Sequence, residues 1–208
     1  MKQQEKSSNM EQQQQFTKVK YLTDYIKIYD NVIPQETCEQ LIKQFSEYTQ
    51  YHERFDYDGR PNFTQLNITD VADKDQQSPL YALHDFLVQA SHKMGVAYMT
   101  ELGLGHFWPD QNALEQYRMK WYKAGSEDRF DTHVDVGNHD SAKRFLTMFF
   151  YLNDVDEGGE TYFDTIDFTV KAKAGRLLVF PPLWTYPHSG KPPISDDKFI
   201  IGTYLHYV

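Results

Sequence analysis

Near Pro109 the hydrophobic period of the chain changes, and that change limits what the chain can fold into more than any other feature. Before it, apolar residues recur at helical spacing. Cys38, Leu41, Ile42, Phe45 and Tyr48 follow Pro34, which suits the first turn of a helix. Leu80, Leu83, Phe86, Leu87, Ala90, Met94 and Ala97 follow Ser78-Pro79, an N-cap residue with proline behind it, and Gly103 or Gly105 ends the pattern. After Pro109 the period is two. Residues 114–122 put Tyr117, Met119 and Trp121 on one side and Arg118, Lys120 and Tyr122 on the other. Residues 144–153, RFLTMFFYLN, are apolar almost throughout, the pattern of a strand covered on both faces. Shorter strands are predicted at 160–163, 168–172, 176–180 and 198–207, separated by Glu157-Gly158-Gly159, Ala174-Gly175 and Pro181-Pro182. Several short strands at this spacing predict a sandwich or barrel. The fold class expected is mainly β with two bracing helices, an α+β chain.

Three segments follow from this pattern. Residues 1–19 begin MKQQEKSSNMEQQQQ, hold little to bury and carry no apolar leader run, so they read as a disordered Gln-rich tail. Residues 20–112 form a support region, opening with a short strand within 21–32 marked by Tyr25, Ile26, Ile28 and Tyr29. Residues 113–208 hold the strands. Between the two helices, residues 51–77 are polar and turn-rich, including Asp58-Gly59 and Arg60-Pro61. With only Phe63, Leu66, Ile68 and Val71 as anchors, they predict a long loop, and a flap over a site is one use for it.

Charge and composition exclude some classes of function. Thirty acidic residues against 21 basic ones give a net charge of −9, which argues against broad contact with nucleic acid or an anionic membrane. No stretch approaches the length of a membrane span. The single Cys38 has no internal disulfide partner and points to a reducing, cytoplasmic setting.

The chemistry centres on residues 130–135, FDTHVD. His133 and Asp135 are two positions apart, so an extended strand turns both to one face, where they can offer two ligands to one metal ion. In a chain with eight histidines, such a pair alone is close to what chance supplies. A third ligand must fold back from elsewhere. His188, after an aromatic strand and a proline-rich turn, is the best candidate, although a turn histidine bonded to its own loop is the plain alternative. Lys198 opens the last apolar strand, where a lysine is also a common guard against edge pairing. A cation at the mouth of a metal site is what the far carboxylate of a dicarboxylate co-substrate needs. His84 and His92 on the second helix, and His52 and His106 in loops, read as surface or packing residues.

Taken together, WYKAG, FDTHVD, RFLTMFFYLNDVDEGGETYF, AGRLLVFPP, PHSGKPP and KFIIGTYLHY resemble the catalytic domain of the prolyl 4-hydroxylase group of Fe(II)- and 2-oxoglutarate-dependent dioxygenases. YIKIYDNVIPQETCEQLIKQF is similar to the strand-then-helix opening of that group. The resemblance implies a double-stranded β-helix, a jelly-roll or cupin-like core, with 113–208 as its catalytic domain. It implies Fe(2+) held by His133, Asp135 and His188, 2-oxoglutarate held by Lys198 with Tyr122 beside it, and Tyr151 and Thr161 in the same pocket. O2 would be the other co-substrate, and L-ascorbate an accessory cofactor. The group usually leaves fewer residues between the WYKAG glycine and His-x-Asp than the SEDRFDT found here. His139 and His206 match no metal position. Because Asp135 fills the place that related halogenases leave open for chloride, hydroxylation is expected, with 2-oxoglutarate decarboxylated to succinate and CO2.

The expected substrate is a peptide or protein, prolyl in the first instance, with a free amino acid or small metabolite as the alternative within the class. The alternative of another class is a metal-binding jelly-roll without oxygenase activity. Neither nucleic acid nor membrane is an expected partner, and the sequence leaves the oligomeric state open.

Overall fold

A computed structural model describes residues 19–57 and 61–208. Apart from Val19, the expected Gln-rich tail lies outside these residues, as do Asp58, Gly59 and Arg60 of the predicted turns. In chain order the elements are β1 (Lys27–Tyr29), α1 (Gln35–Glu47), β2 (His52–Asp56), β3 (Asn62–Asn67), α2 (Ile68–Lys74) and α3 (Pro79–Glu101). Then come β4 (Asn112–Leu114), β5 (Arg118–Tyr122), β6 (Phe130–His133), β7 (Arg144–Tyr151), β8 (Thr161–Phe163) and β9 (Phe168–Val170). The chain closes with β10 (Leu177–Phe180), β11 (His188–Gly190) and β12 (Lys198–Tyr207). Among the described residues, no helix is long and apolar enough to cross a membrane.

Among the described residues all strand pairs are antiparallel and form two sheets. The larger runs β1-β10-β7-β12-β5-β3-β2, with β4 on the far part of β12; the smaller runs β6-β11-β8-β9. The period-two pattern explains how the larger sheet is sandwiched. Met119 of β5, Met148 and Phe150 of β7, Leu177 and Val179 of β10, and Ile201 and Leu205 of β12 share one buried core with Leu41 and Phe45 of α1 and Leu80 and Leu87 of α3. Their strand neighbours Tyr122, Phe149, Tyr151, Leu178, Phe180 and Ile200 join a second core with Phe163 and Val170 of the smaller sheet. Residues of β7 are therefore apolar on both faces because each face meets a different layer.

Helix α3 begins as its cap predicts, and α1 one residue later than expected. The Ser78 hydroxyl accepts from the Leu80 N–H at 3.1 Å, with Pro79 first in α3, and Gly103 at φ 65 turns the chain away beyond its end. Pro34 sits at the N-cap of α1, one place before the first helical residue.

Residues 51–77 correct an expectation. In place of a long loop they fold as β2, β3 and α2, and β3 pairs with β5 to widen the larger sheet. Four of the six β3 residues are buried, Asn62 and Gln65 among them, so polar side chains hide a strand with both faces covered. The short α2 starts where Asn67 caps the Asp70 N–H at 3.3 Å. His52, expected in a loop, opens β2 with its Nε2 2.8 Å from the Phe45 carbonyl.

Candidate active site and metal centre

Strand register brings the distant residues together. In the smaller sheet His188 of β11 lies directly opposite His133 at the end of β6. In the larger sheet Lys198 of β12 lies directly opposite Tyr122 of β5. Both pairs open into one cavity between the sheets, whose lining includes His133, Asp135, His188, Tyr122, Thr161 and Lys198. Tyr151 stands behind the lining, its hydroxyl 2.6 Å from the Thr161 hydroxyl.

Asp135 lies just past the end of β6 and remains beside both imidazoles. Its Oδ1 is 3.8 Å from His133 Nε2 and its Oδ2 is 3.8 Å from His188 Nε2. One ligand atom from each residue falls within 4.8 Å of the others, the one such group of three that includes these histidines among the described residues. Backbone carbonyls fix the rings: His133 Nδ1 is 2.9 Å from the Asp131 carbonyl, and His188 Nδ1 is 3.1 Å from that of Tyr186. An Nδ1–H donated to a carbonyl leaves the Nε2 lone pair facing the cavity, as a metal ligand requires. Burial beside His188 pushes the His133 imidazole down to about 4, which keeps it neutral at physiological pH.

His188 Nε2 is buried with no hydrogen-bond partner, a costly state for a polar atom unless something else fills the position. Two imidazole nitrogens and a carboxylate are the donor set of a three-ligand Fe(II) site with open positions. The residues fit the metal.

The carboxylate is held in place by residues that the sequence alone did not single out. Tyr204 of β12 donates to Asp135 Oδ1 at 2.9 Å, and Thr147 of β7 donates to Oδ2 at 2.9 Å. Burial and the nearby carboxylate raise the Tyr204 phenol well above its ordinary range, so it stays a donor. Arg144 donates to the Asp135 backbone carbonyl at 2.9 Å while its guanidinium grips Glu115 through two 2.8 Å bonds. Each of these side chains comes from another strand, so spacing along the chain carries no signal for them.

Lys198 is only 2% exposed. Its ammonium lies 5.4 Å from the Tyr122 ring centre and 5.6 Å from that of Tyr151. Burial pushes it down to about 7, with Glu160 opposing the shift and Lys120 adding to it. Asn153 anchors the start of β12 by donating to the Asp197 carbonyl at 2.6 Å and accepting from the Phe199 N–H at 2.9 Å. Gly159 passes against the lysine, where a Cβ would stand 3.5 Å from Lys198 Cδ and 3.2 Å from Val155. At Gly158, φ 74, a Cβ would lie 2.3 Å from the Pro192 carbonyl, so the turn requires glycine.

The remaining histidines stand apart from this centre. His84 packs edge-on against Tyr117 at 5.4 Å, His206 Nδ1 is 2.8 Å from the Tyr207 carbonyl, and His92, His106 and His139 are exposed.

Residues 117–206 match the family model described as the 2OG-Fe(II) oxygenase superfamily. They form a 2OG-Fe(II) oxygenase domain. Fe(II) and 2-oxoglutarate are the metal and co-substrate that this family and the His133/Asp135/His188 triad imply. The alternative of a metal-binding jelly-roll without oxygenase activity gives way to this match.

Solved structures share the double-stranded β-helix architecture of the oxygenase domain and its supporting helices. The viral collagen prolyl hydroxylase of Paramecium Bursaria Chlorella virus-1, in its 2OG complex, is 22% identical with a TM-score of 0.65, covering 88% of this chain and 97% of its own. A Pseudomonas putida prolyl-4-hydroxylase is 16% identical with a TM-score of 0.67, covering 88% and 93%. The Trichoplax adhaerens prolyl hydroxylase, in complex with a hypoxia inducible factor oxygen degradation domain peptide, is 16% identical with a TM-score of 0.69, covering 88% and 84%. No curated protein matches the sequence.

Proposed function

We propose that this oxygenase hydroxylates an unactivated C–H bond in a peptide, with a prolyl residue as the first candidate target. The observation that carries its oxygenase chemistry is the buried Lys198, opposite Tyr122 and in the same cavity as the triad. A buried ammonium without a carboxylate partner is costly, and the far carboxylate of 2-oxoglutarate would complete it. The likeness in fold to prolyl hydroxylases supports a peptide in place of a free amino acid.

On this reading His133, Asp135 and His188 hold Fe(II), and Lys198 holds the 2-oxoglutarate carboxylate remote from the metal. Tyr122 and the Thr161 hydroxyl line the co-substrate pocket, and Tyr151 steadies Thr161 from behind. Iron with 2-oxoglutarate and O2 supplies the oxidation, coupled to release of succinate and CO2. The protein's own contribution is positional. Tyr204 and Thr147 fix the carboxylate, the Asp131 and Tyr186 carbonyls fix the rings, and Phe149 and Ile200 give the cavity apolar walls.

The test is succinate release with proline-rich peptides, free proline and other amino acids, each with and without ascorbate. Peptide-dependent release supports the reading. Release with free amino acids alone would replace it with the small-metabolite alternative.

A further inference from the structure

Lys120 and Arg118 lie on the cavity side of β5, and the proposed chemistry leaves both unused. Lys120 faces Ile200 and Arg118 faces Gly202 across the β5–β12 ladder. Lys120 Nζ stands 5.0 Å from the Phe63 ring centre and 5.5 Å from that of Phe130, and Arg118 donates at 2.6 Å to a neutral acceptor, Gln116 Oε1. Among the described residues neither cation makes an ion pair, whereas the neighbouring Arg144 is matched by Glu115.

Both cations line a groove that runs out from the triad cavity. Lys120, Phe130 and Gly202 belong to both spaces; Phe55 and Phe63 wall the groove, and its lining holds no carboxylate. A chain with net charge −9 thus presents, beside the triad, an aromatic channel with two positive charges that make no ion pair among the described residues, Asp135 acting on Lys120 only from a distance.

We propose that this groove takes a peptide segment carrying a carboxylate side chain next to the hydroxylated residue, with Lys120 and Arg118 as the groups that select it. Residues two apart on a strand are roughly 6.5 Å apart, close enough for one carboxylate to meet both. A neutral carbonyl leaves the cations unmatched, and a basic side chain is repelled. The Phe63 and Phe130 rings flank the ammonium, and an incoming carboxylate would supply the acceptor that they lack. The proposal rests on the peptide-hydroxylase reading above and names its substrate class.

The test uses three dye-labelled peptides identical except for the residues flanking a central proline, which are Glu, Gln or Lys. Binding to the full chain, loaded with Mn(II) and 2-oxoglutarate and kept free of oxygen, is read by fluorescence anisotropy. The Glu peptide should bind roughly tenfold or more tighter than the Gln peptide, and the Lys peptide weakest. Lys120→Met and Arg118→Gln should each erode that preference, while Lys120→Arg keeps it; melting curves confirm that each variant is folded. Equal affinity for the Glu and Gln peptides, or a preference undiminished in the Lys120→Met/Arg118→Gln double variant, overturns the selection and leaves the peptide reading intact. Failure of all three peptides to bind overturns both.

Discussion

Lys198 ties a protonation state to a ligand. Its ammonium is held down to about 7 by burial, against an ordinary lysine near 10.5, so the charge that should meet 2-oxoglutarate is lost as pH rises through neutrality. The bound dicarboxylate favours the charged form and moves that loss upward. The KM for 2-oxoglutarate should therefore rise between about pH 7 and 9. In Lys198→Met it should be at least roughly tenfold higher and flat over the same range, since a charge-assisted contact is worth about 1.5–3 kcal/mol. An unchanged KM in the variant counts against the carboxylate role. The residues around Asp135 carry a separate expectation. Tyr204→Phe and Thr147→Val each remove one donor from its carboxylate, and loss of such a partner typically weakens metal binding about 10–100-fold. Anaerobic Fe(II) titration of folded variants reads this directly, and wild-type affinity in both would reduce these bonds to packing.

At the scale of elements, the WYKAG-to-His-x-Asp segment and the β2–β3 hairpin depend on each other. Asp128, 3% exposed, accepts two bonds from Arg54 of β2, at 2.6 and 3.1 Å, and one from the Lys123 N–H at 3.0 Å. Asn62 of β3 bridges to Arg129 of the same segment. The SEDRFDT stretch is thus held by the very residues that were expected to form a loose loop. Asp128→Asn should lower stability by about 1–2 kcal/mol in urea unfolding, discounted because Arg54 is partly exposed. A variant as stable as wild type would mean that the hairpin stands without this anchor.

What the sequence disclosed follows from the same physics. β7 and β10 were legible because two cores demand apolar residues on both faces, and α3 because Ser78-Pro79 caps it. β3 was not, because NFTQLN puts the amides of Asn62 and Gln65 at buried positions, where Asn62 Nδ2 donates to Asp56 of the neighbouring strand. The alternation of 114–122 put Lys120 and Tyr122 on one face, but only register against β12 reveals that this face lines a cavity. His133, Asp135, His188 and Lys198 were singled out through ordered motifs, and the fold groups the first three; Tyr204, Thr147 and Arg144 meet Asp135 through contacts that have no fixed spacing.

At the scale of the whole molecule, β12 links the parts. Along its inner face it carries Lys198, Ile200, Gly202 and Tyr204, running from the proposed co-substrate end past the groove to the group that holds Asp135. Its other face packs Ile201 and Leu205 into the helix-side core. The helices thereby brace the strand that spans the site, and the smaller sheet supplies the histidines from the opposite side. The central claim is that this sandwich brings Fe(II) and 2-oxoglutarate together at one point. Visible absorption of the anaerobic protein tests it most directly. Fe(II) and 2-oxoglutarate added together should produce a weak charge-transfer band that neither gives alone; the band should be absent in His188→Ala and need more 2-oxoglutarate in Lys198→Met. No band in the wild type, or an undiminished one in His188→Ala, would contradict the claim.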